Sequence, residues 1–166
     1  DQTSAADRLA GFRDVRADAG PGLIAHGDFT PGGGELAMRE LLDRRPDLDA
    51  VFAANDLTAA GALRVLRERG RRVPDDVAVV GFDDMLPVAE QTDPPLTTVR
   101  QDIEGMGRLM ARLLLRGLDR GAAGDGDGET AAGGSAPVSR DHGAGAVSGT
   151  ASGVILPTTL VRRASA

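Results

Sequence analysis

Two short, continuous apolar runs flank one helical run near the middle of the chain. The first apolar run covers residues 51–54, the helical run covers 57–69, and the second apolar run covers 77–82. Continuous apolar runs of this length are typical of strands buried on both faces, as in a parallel sheet. A strand, a helix and a second strand predict a βαβ unit with a right-handed crossover. The chain is therefore predicted to have an α/β fold, with a parallel sheet and flanking helices.

Polar side chains follow both apolar runs. Asn55 and Asp56 come directly after the first run, and Asp83 and Asp84 come after the second. The carboxyl ends of parallel strands lie at one edge of a sheet, and open α/β sheets bind their ligands at that edge. We therefore expect Asn55 and Asp83 to face the same crevice.

The pattern predicts further elements on both sides of this unit. They are a helix from about residue 4 to 19, a short strand at 23–25, a glycine-rich loop at 27–34, a helix from about 36 to 46, a strand at 96–99, a long helix capped by Asp102, and a strand-like segment from Val154.

Residues 121–153 contain ten of the 23 glycines and only two large apolar residues, Val138 and Val147. Such a segment buries too little apolar surface to offset its ordering entropy, so we predict that it is disordered.

Composition excludes several classes of protein. The 166 residues suffice for one domain, and the net charge of −6 argues against direct contact with DNA. There is no cysteine, which excludes disulfides and thiol catalysis. No apolar run has the length of a membrane span, and no signal peptide is visible, so we expect a cytoplasmic protein without membrane contact.

Several motifs, in a compatible order, resemble the effector-binding domain of the LacI/GalR family of bacterial transcription regulators. They are Ala-Asn-Asp at 54–56 with Ala-Ala-Gly-Ala at 59–62, Val-Pro-Asp-Asp-Val at 73–77, Val-Gly-Phe-Asp-Asp at 80–84, Pro-Pro-Leu-Thr-Thr-Val-Arg-Gln-Asp at 94–102, and Ile-Leu-Pro-Thr-Thr-Leu-Val-Arg-Arg at 155–163. The resemblance covers almost the whole chain except 121–153. It implies a type I periplasmic-binding-protein fold.

The resemblance also implies a division of the chain. Residues 1–98 would form the C-terminal lobe of the effector-binding domain. Residues 99–120 would be a crossover strand and helix that belong to the N-terminal lobe. The insert at 121–153 would then be followed by the closing strands of the C-terminal lobe at 154–166.

Four residues match ligand-binding positions of the family, and two more are candidates at the rim of the cleft. Arg8 would point into the effector cleft, where a guanidinium holds adjacent hydroxyls, a carboxylate or a purine edge. Phe29 would stack on the effector, and Asp83 would accept hydroxyl hydrogen bonds. Asn55 is assigned to the cleft, while Ser4 and Gln101 are placed at its rim.

Each assignment has a purely structural alternative. Arg8 could be a solvated surface arginine, and Phe29 could anchor its loop in the core. Asn55 could be only a helix N-cap, a role that Asp56 would fill equally well. Asp83 could be a turn residue paired with a nearby arginine. The other three phenylalanines lie in apolar contexts and are predicted to belong to the core.

No metal or phosphate site is predicted. His26 and His142 are the only histidines and are far apart in the chain. The glycines at 32–34 match no phosphate-binding motif and are interpreted as a flexible turn. The carboxylates of Asp125, Asp127 and Glu129 lack the spacing of a calcium loop.

The sequence thus predicts a regulatory domain without a cofactor, which senses a sugar or nucleobase-like molecule and acts as a homodimer. DNA would be bound only through a helix-turn-helix domain, which has no counterpart in these residues. The main alternative is a solute-binding protein of a sugar transport system with the same fold. An enzyme is disfavoured because no set of nucleophile, base and orienting residue is visible. A truncated, non-functional copy is a further alternative.

Overall fold

The structure is a computed structural model that describes residues 3–123 and 156–166. Its helices are α1 (Thr3–Val15), α2 (Pro31–Arg44), α3 (Asp56–Glu68), α4 (Leu86–Ala89) and α5 (Ile103–Ala123). Its strands are β1 (Ala50–Phe52), β2 (Ala78–Asp83), β3 (Thr97–Gln101) and β4 (Thr158–Val161). The chain divides into two compact units, one of residues 1–101 with 158–166, and one of residues 102–157 that contains α5.

The first unit is built on one sheet with the strand order β1-β2-β3-β4. β1, β2 and β3 are parallel, and β4 runs antiparallel to β3. The predicted α/β fold is confirmed: α3 connects the parallel strands β1 and β2 as a βαβ unit. The sheet is mixed rather than wholly parallel, because β4 returns along the edge of β3.

The core lies between this sheet and the helices α2 and α3. Its buried members include Met38 and Leu42 of α2, Leu63 and Leu66 of α3, Val79 of β2, and Leu96. The two helices touch backbone to backbone. A Cβ atom at Gly34 would collide with the Thr58 backbone, and one at Gly61 would collide with the Pro31 carbonyl. The glycines therefore allow the helices to approach closely.

This packing corrects the interpretation of glycines 32–34 as a flexible turn, because all three lie in the first turn of α2. The helix begins at Pro31, and the Thr30 hydroxyl caps it by accepting from the Gly33 N–H at 3.0 Å. A threonine N-cap followed by proline is a strong helix-start signal. This helix-start signal is present in the sequence, but the three glycines that follow it led to the prediction of a turn.

Two further predictions are wrong. Residues 23–25 form no strand; residues 21–23 are a 3-10 turn, and the Ile24 carbonyl accepts from Arg44 Nη2 at 2.9 Å instead of from a neighbouring strand. Phe12, Phe52 and Phe82 are not core residues. All three are at least partly exposed, and none belongs to the buried cluster.

The C-terminal segment closes a gap between β2 and β3. Before the two strands begin to pair at Val80 and Thr97, Ser165 lies between them, fully buried. Its hydroxyl accepts from the Thr97 N–H at 2.8 Å and donates to the Val79 carbonyl at 2.6 Å. Its own carbonyl accepts from the Val79 N–H at 2.8 Å. Ser165 thus continues the hydrogen bonding of the sheet where the strands diverge.

The second unit contributes the helix α5. As predicted, Asp102 caps it, since Oδ1 accepts from the Gly105 N–H at 2.8 Å. Large apolar residues of α5 are exposed, namely Ile103, Met110, Leu113, Leu114, Leu115 and Leu118. The predicted disorder at 121–153 falls almost entirely outside the described residues, although 121–123 are helical. Among the helices described, none combines the length and apolar character needed to cross a membrane.

Candidate functional site

Polar groups meet where β1, β2 and β3 end. Asp83 is the last residue of β2 and Gln101 is the last residue of β3, and the Gln101 Nε2 donates to Asp83 Oδ1 at 2.8 Å. Arg8 reaches this edge from α1. Its Nη1 donates to the Ala54 carbonyl at 2.9 Å, and its Nη2 lies 3.5 Å from Asp83 Oδ1. Three predicted residues are therefore in direct contact, and the guanidinium of Arg8 joins the ends of β1 and β2.

Asn55 combines both of its proposed roles. It is the N-cap of α3, with Oδ1 accepting from the Thr58 N–H at 2.8 Å. Its Nδ2 donates to the Phe29 carbonyl at 3.1 Å, so the capping side chain also fixes the loop that carries Phe29. Phe29 itself is half-buried. The structure thus brings Phe29 and Asn55 together, next to the Ala54 carbonyl that Arg8 contacts.

Ser4 is the predicted residue that stands apart. It lies in the first turn of α1, one turn before Arg8, and is exposed. Among the described residues it makes no side-chain hydrogen bond to any of the other five. This position is compatible with the predicted place of Ser4 at the rim of a cleft, but none of the described contacts depends on Ser4.

Three residues at this edge adopt a left-handed backbone. The φ angles are 65° at Phe29, 105° at Asp83 and 55° at Asp84. For residues other than glycine, such conformations cost on the order of 1–3 kcal/mol each and persist only where the surroundings fix them. Strain of this kind concentrates at functional sites, which makes this edge the strongest candidate for one in the first unit.

The carboxylate of Asp83 is partly buried, with 22% of the side chain exposed. Burial raises the pKa of Asp83 above its ordinary value, and the opposing effects of the Arg8 charge and the Gln101 hydrogen bond are smaller. Both neighbours contact Oδ1. No described residue donates a hydrogen bond to Oδ2, so this oxygen remains able to accept from a ligand hydroxyl.

Two acidic residues beside the site, Asp84 and Asp56, are not among the six predicted ligand-binding residues. Asp84, whose side chain is only 1% exposed, accepts from Arg100 Nε at 2.5 Å and from Arg163 Nη2 at 2.8 Å. Burial alone would raise its pKa, but the bonds to the two guanidinium groups outweigh it and lower the pKa. Asp56 is completely buried, and its contacts join α3, β3 and the segment after β2. Arginine pairing and burial depend on contacts distant in the chain, which left no local signal.

A cavity of about 840 Å³ lies under α1, against α2 and β1. Of the six predicted residues, only Arg8 and Phe29 line it. A second, shallower cavity of about 580 Å³ is lined by Phe12, Phe52 and Phe82 and also by Arg8, whose Cζ lies 4.1 Å from the centre of the Phe82 ring. Arg8 therefore borders both cavities as well as the polar cluster. The polar cluster is the candidate site, because Arg8, Asp83 and Gln101 contact one another there and Asp83 Oδ2 has no donor among the described residues.

The described residues contain no group of three or more His, Cys, Asp or Glu side chains that could hold a metal ion. His26 is exposed and lies in the loop before α2. His142, Asp125, Asp127 and Glu129 fall outside the described part of the chain.

Comparison with known proteins identifies the family of this chain. Residues 1–131 match the family described as a periplasmic binding protein-like domain, and the chain belongs to this family. Its curated relatives are LacI/GalR-type regulators, which confirms the resemblance found in the sequence motifs.

Two relatives and two solved structures illustrate the match. The HTH-type transcriptional regulator CelR of Thermobifida fusca is 56% identical over 119 residues, which make up 69% of this chain and 35% of the relative. GalR of Escherichia coli is 42% identical over 117 residues, or 68% of this chain and 34% of the relative. The chain thus spans about a third of the length of these curated relatives.

The solved structures are similar over nearly the whole chain. A complex of the transcriptional regulator CelR with cellobiose has a TM-score of 0.72 and 45% identity, covering 97% of this chain and 42% of that one. A Lac repressor dimer bound to operator and the anti-inducer ONPF has a TM-score of 0.71 and 31% identity, covering 98% of this chain and 48% of that one.

Proposed function

We propose that this chain forms the C-terminal lobe of the sugar-sensing domain of a LacI/GalR-type transcription regulator. The observation that carries the proposal is the cluster of Arg8, Asp83 and Gln101 at the carboxyl edge of the sheet. It presents a cation, an anion and an amide within hydrogen-bond reach of one another. Such a mixed set suits a neutral ligand with several hydroxyls, because each hydroxyl both donates and accepts a hydrogen bond.

The residues have distinct roles in this proposal. Asp83 Oδ2 accepts from a sugar hydroxyl, while Arg8 and the free N–H of the Asn55 amide donate to ring or hydroxyl oxygens. Phe29 offers a flat apolar surface on which a sugar ring stacks. Gln101 keeps Asp83 oriented and lies at the edge of the site, and Ser4 extends the rim. We propose a sensing role rather than a catalytic one, because the relatives described above are transcriptional regulators.

The relatives guide the choice of ligand. CelR was solved with cellobiose, and its identity to this chain makes cellobiose the first effector to test. A nucleobase-like effector is the competing chemistry, since a carboxylate and an amide also match a purine edge. The relatives are regulators rather than transport proteins, which favours this function over a solute-binding role.

The partners follow from the same comparison. We propose that the complete regulator is a cytoplasmic homodimer that contacts DNA through a separate helix-turn-helix domain. In the family, a second lobe faces this one, and we propose that α5 belongs to it; residues 99–101, which the predicted segment 99–120 includes, lie instead in β3 of the first unit's sheet. A ligand that binds the closed form better than the open form shifts the equilibrium between them and so alters operator affinity.

The test is an NMR titration of the 166-residue chain with cellobiose, glucose, galactose and adenine. This method detects the weak binding expected when one wall of a cleft is tested. Cellobiose should shift the side-chain signals of Asn55, Gln101 and Arg8. Shifts with adenine and none with the sugars would overturn the sugar assignment, and shifts with none of the four would contradict a sensing role.

Asp83→Asn is the matched variant, with Asp76→Asn as its control. Asp76 is a surface carboxylate paired with Arg72, away from the cluster. Removing the charge at Asp83 weakens each hydroxyl bond to it, so cellobiose affinity should fall by about 10-fold or more, at ~1.5–3 kcal/mol for a bond to a charged group. Equal affinities for the two variants would remove Asp83 from the site.

A further inference from the structure

Asp56, the first residue of α3, is buried beside the site, yet it contacts none of the six ligand-binding candidates. Its Oδ2 accepts from the Met85 N–H at 2.7 Å, and its Oδ1 accepts from the Thr98 hydroxyl at 2.5 Å. Met85 is the residue that immediately follows the two left-handed residues Asp83 and Asp84. One carboxylate therefore joins the start of α3, the turn after β2, and the neighbouring strand β3.

The sheet has an opening that allows this reach. Gly81 of β2 pairs with Thr98 of β3, and Asp56 lies across this pair. A Cβ atom at Gly81 would overlap the Asp56 carboxylate. The absence of a side chain at Gly81 thus lets α3 bond to a strand that is not its immediate neighbour in the chain.

We propose that Asp56 is a positioning residue for effector binding, one that fixes the strained turn carrying Asp83 and the helix start carrying Asn55 in a single frame. The proposal rests on the sensing function proposed above. Asp83 and Asp84 lie in conformations that cost free energy, so the turn needs bonds on each side to persist. Gln101 and Arg8 hold Asp83, two arginines hold Asp84, and Asp56 holds the next backbone N–H.

Asn55 precedes Asp56 directly, so the site residue that caps α3 and the site residue that ends β2 share this anchor. If Asp56 releases Met85, the turn relaxes and Asp83 loses its orientation relative to Asn55. A sugar that bonds to both residues then meets a site with the right groups at the wrong separation. The cost falls on affinity, because the ligand must restore the arrangement when it binds.

The charges around Asp56 agree with this role. Burial raises its pKa, the bonds from Thr98 and Met85 oppose the rise, and the nearby charges of Asp83 and Asp84 add to it. Three arginines lie around the turn after β2: Arg8 contacts Asp83, and Arg100 and Arg163 contact Asp84. Asn55 already caps α3, so Asp56 is not needed as a cap, and its two accepted hydrogen bonds account for its buried position.

A pair of neighbouring threonines provides the test. Thr98→Val removes the hydroxyl that donates to Asp56. Thr97→Val is the matched control, since Thr97 is equally buried on the same strand and bonds instead to Arg163 N–H and the Ala166 carbonyl. Thr98→Val should weaken cellobiose binding about 10-fold. Thr97→Val should lower the melting temperature and leave the affinity within about twofold, on the same scale.

Two variants of Asp56 itself complete the design. Asp56→Asn keeps an oxygen that accepts from Met85, and Asp56→Ala keeps none, so the amide should recover most of the affinity that the alanine loses. Amide hydrogen exchange at Met85, measured without ligand, should accelerate about 10-fold in Thr98→Val and stay unchanged in Thr97→Val.

The outcomes separate the two proposals. Equal losses of affinity in Thr98→Val and Thr97→Val would overturn the positioning role, and so would an Asp56→Asn variant as weak as Asp56→Ala. If the wild-type chain binds no sugar, the sensing function fails. The exchange rates at Met85 then still decide whether Asp56 fixes the turn: unchanged exchange in Thr98→Val would contradict it.

Discussion

Replacing Ser165 by alanine should destabilise the first unit strongly, although the change removes a single oxygen atom. The hydroxyl is fully buried and takes part in two hydrogen bonds, one from the Thr97 N–H and one to the Val79 carbonyl. Alanine fits the same space and can form neither bond. The two backbone groups stay in the core, between strands that diverge at this point, with no other partner among the contacts described.

The magnitude follows from those two groups. A buried donor or acceptor that loses its partner costs about 1–3 kcal/mol. Ser165 keeps its backbone bonds to Val79 and Pro95, so the segment stays docked and the losses do not spread. We therefore expect the free energy of unfolding to fall by about 3 kcal/mol, which lowers the melting temperature by roughly 10 °C for a unit of this size.

Urea denaturation followed by circular dichroism measures this difference directly. Ser4→Ala is the control, because Ser4 is exposed and its change should stay within about 0.5 kcal/mol. A loss below about 1 kcal/mol for Ser165→Ala would show that water or a local shift satisfies both groups, and the reasoning from burial would be refuted.

Three further predictions test other parts of the chain. The pKa of Asp84 is lower in the folded chain than its ordinary value of 3.8, so the charged carboxylate stabilises the fold above pH 3.8, and this contribution is lost as the pH falls through the folded pKa. The difference in stability between wild type and Asp84→Asn should therefore disappear in acid. A difference that is independent of pH would contradict the prediction. Replacing residues 121–153 by a short turn should leave the melting temperature unchanged, because closure entropy depends weakly on loop length; a clear drop would show that the segment is packed. The exposed apolar residues of α5 should make the chain sediment as dimers or larger species, and a stable monomer would argue against an unsatisfied apolar face.

Local signals predicted the framework of the fold well. The apolar runs located β1 and β2, and the helix between them begins within one residue of its predicted start. Gly70, which follows that helix, has a φ of 69°, the left-handed conformation in which a glycine commonly ends a helix. Each of these features is decided by neighbouring residues, so a single sequence contains the information.

The predictions failed where contacts between residues distant in the chain decide the local structure. Residues 23–25 have a strand-like composition, yet the Arg44 side chain, 20 positions after Ile24, donates hydrogen bonds to the Ile24 and Pro21 carbonyls. The glycines at 32–34 look flexible until the close approach of α3 gives them a packing role. The apolar surroundings of three phenylalanines in the sequence did not reveal that α1 covers that part of the sheet only loosely.

The candidate site shows the same division. Asn55 and Asp83 could be placed at one edge because strand order brings their ends together. The bond between Asp84 and Arg163 joins residues 79 positions apart, and that between Asp56 and Thr98 joins residues 42 apart. No periodic pattern in the sequence indicates such pairs. A carboxylate that becomes buried cannot be distinguished in the sequence from one that only caps a helix.

The pairing of β3 with β4 has a consequence for how the chain acquires its structure during synthesis. Gln101 pairs with Thr158, which emerges from the ribosome 57 residues later. Until then β3 has a free edge, and the gap beside Val79 and Thr97 is unfilled. We expect the βαβ unit to form early from local contacts, and the sheet to remain open until residues 158–166 arrive. During this interval β3 has an unpaired edge. Such edges promote misassembly and are a reason that folding chains need chaperones.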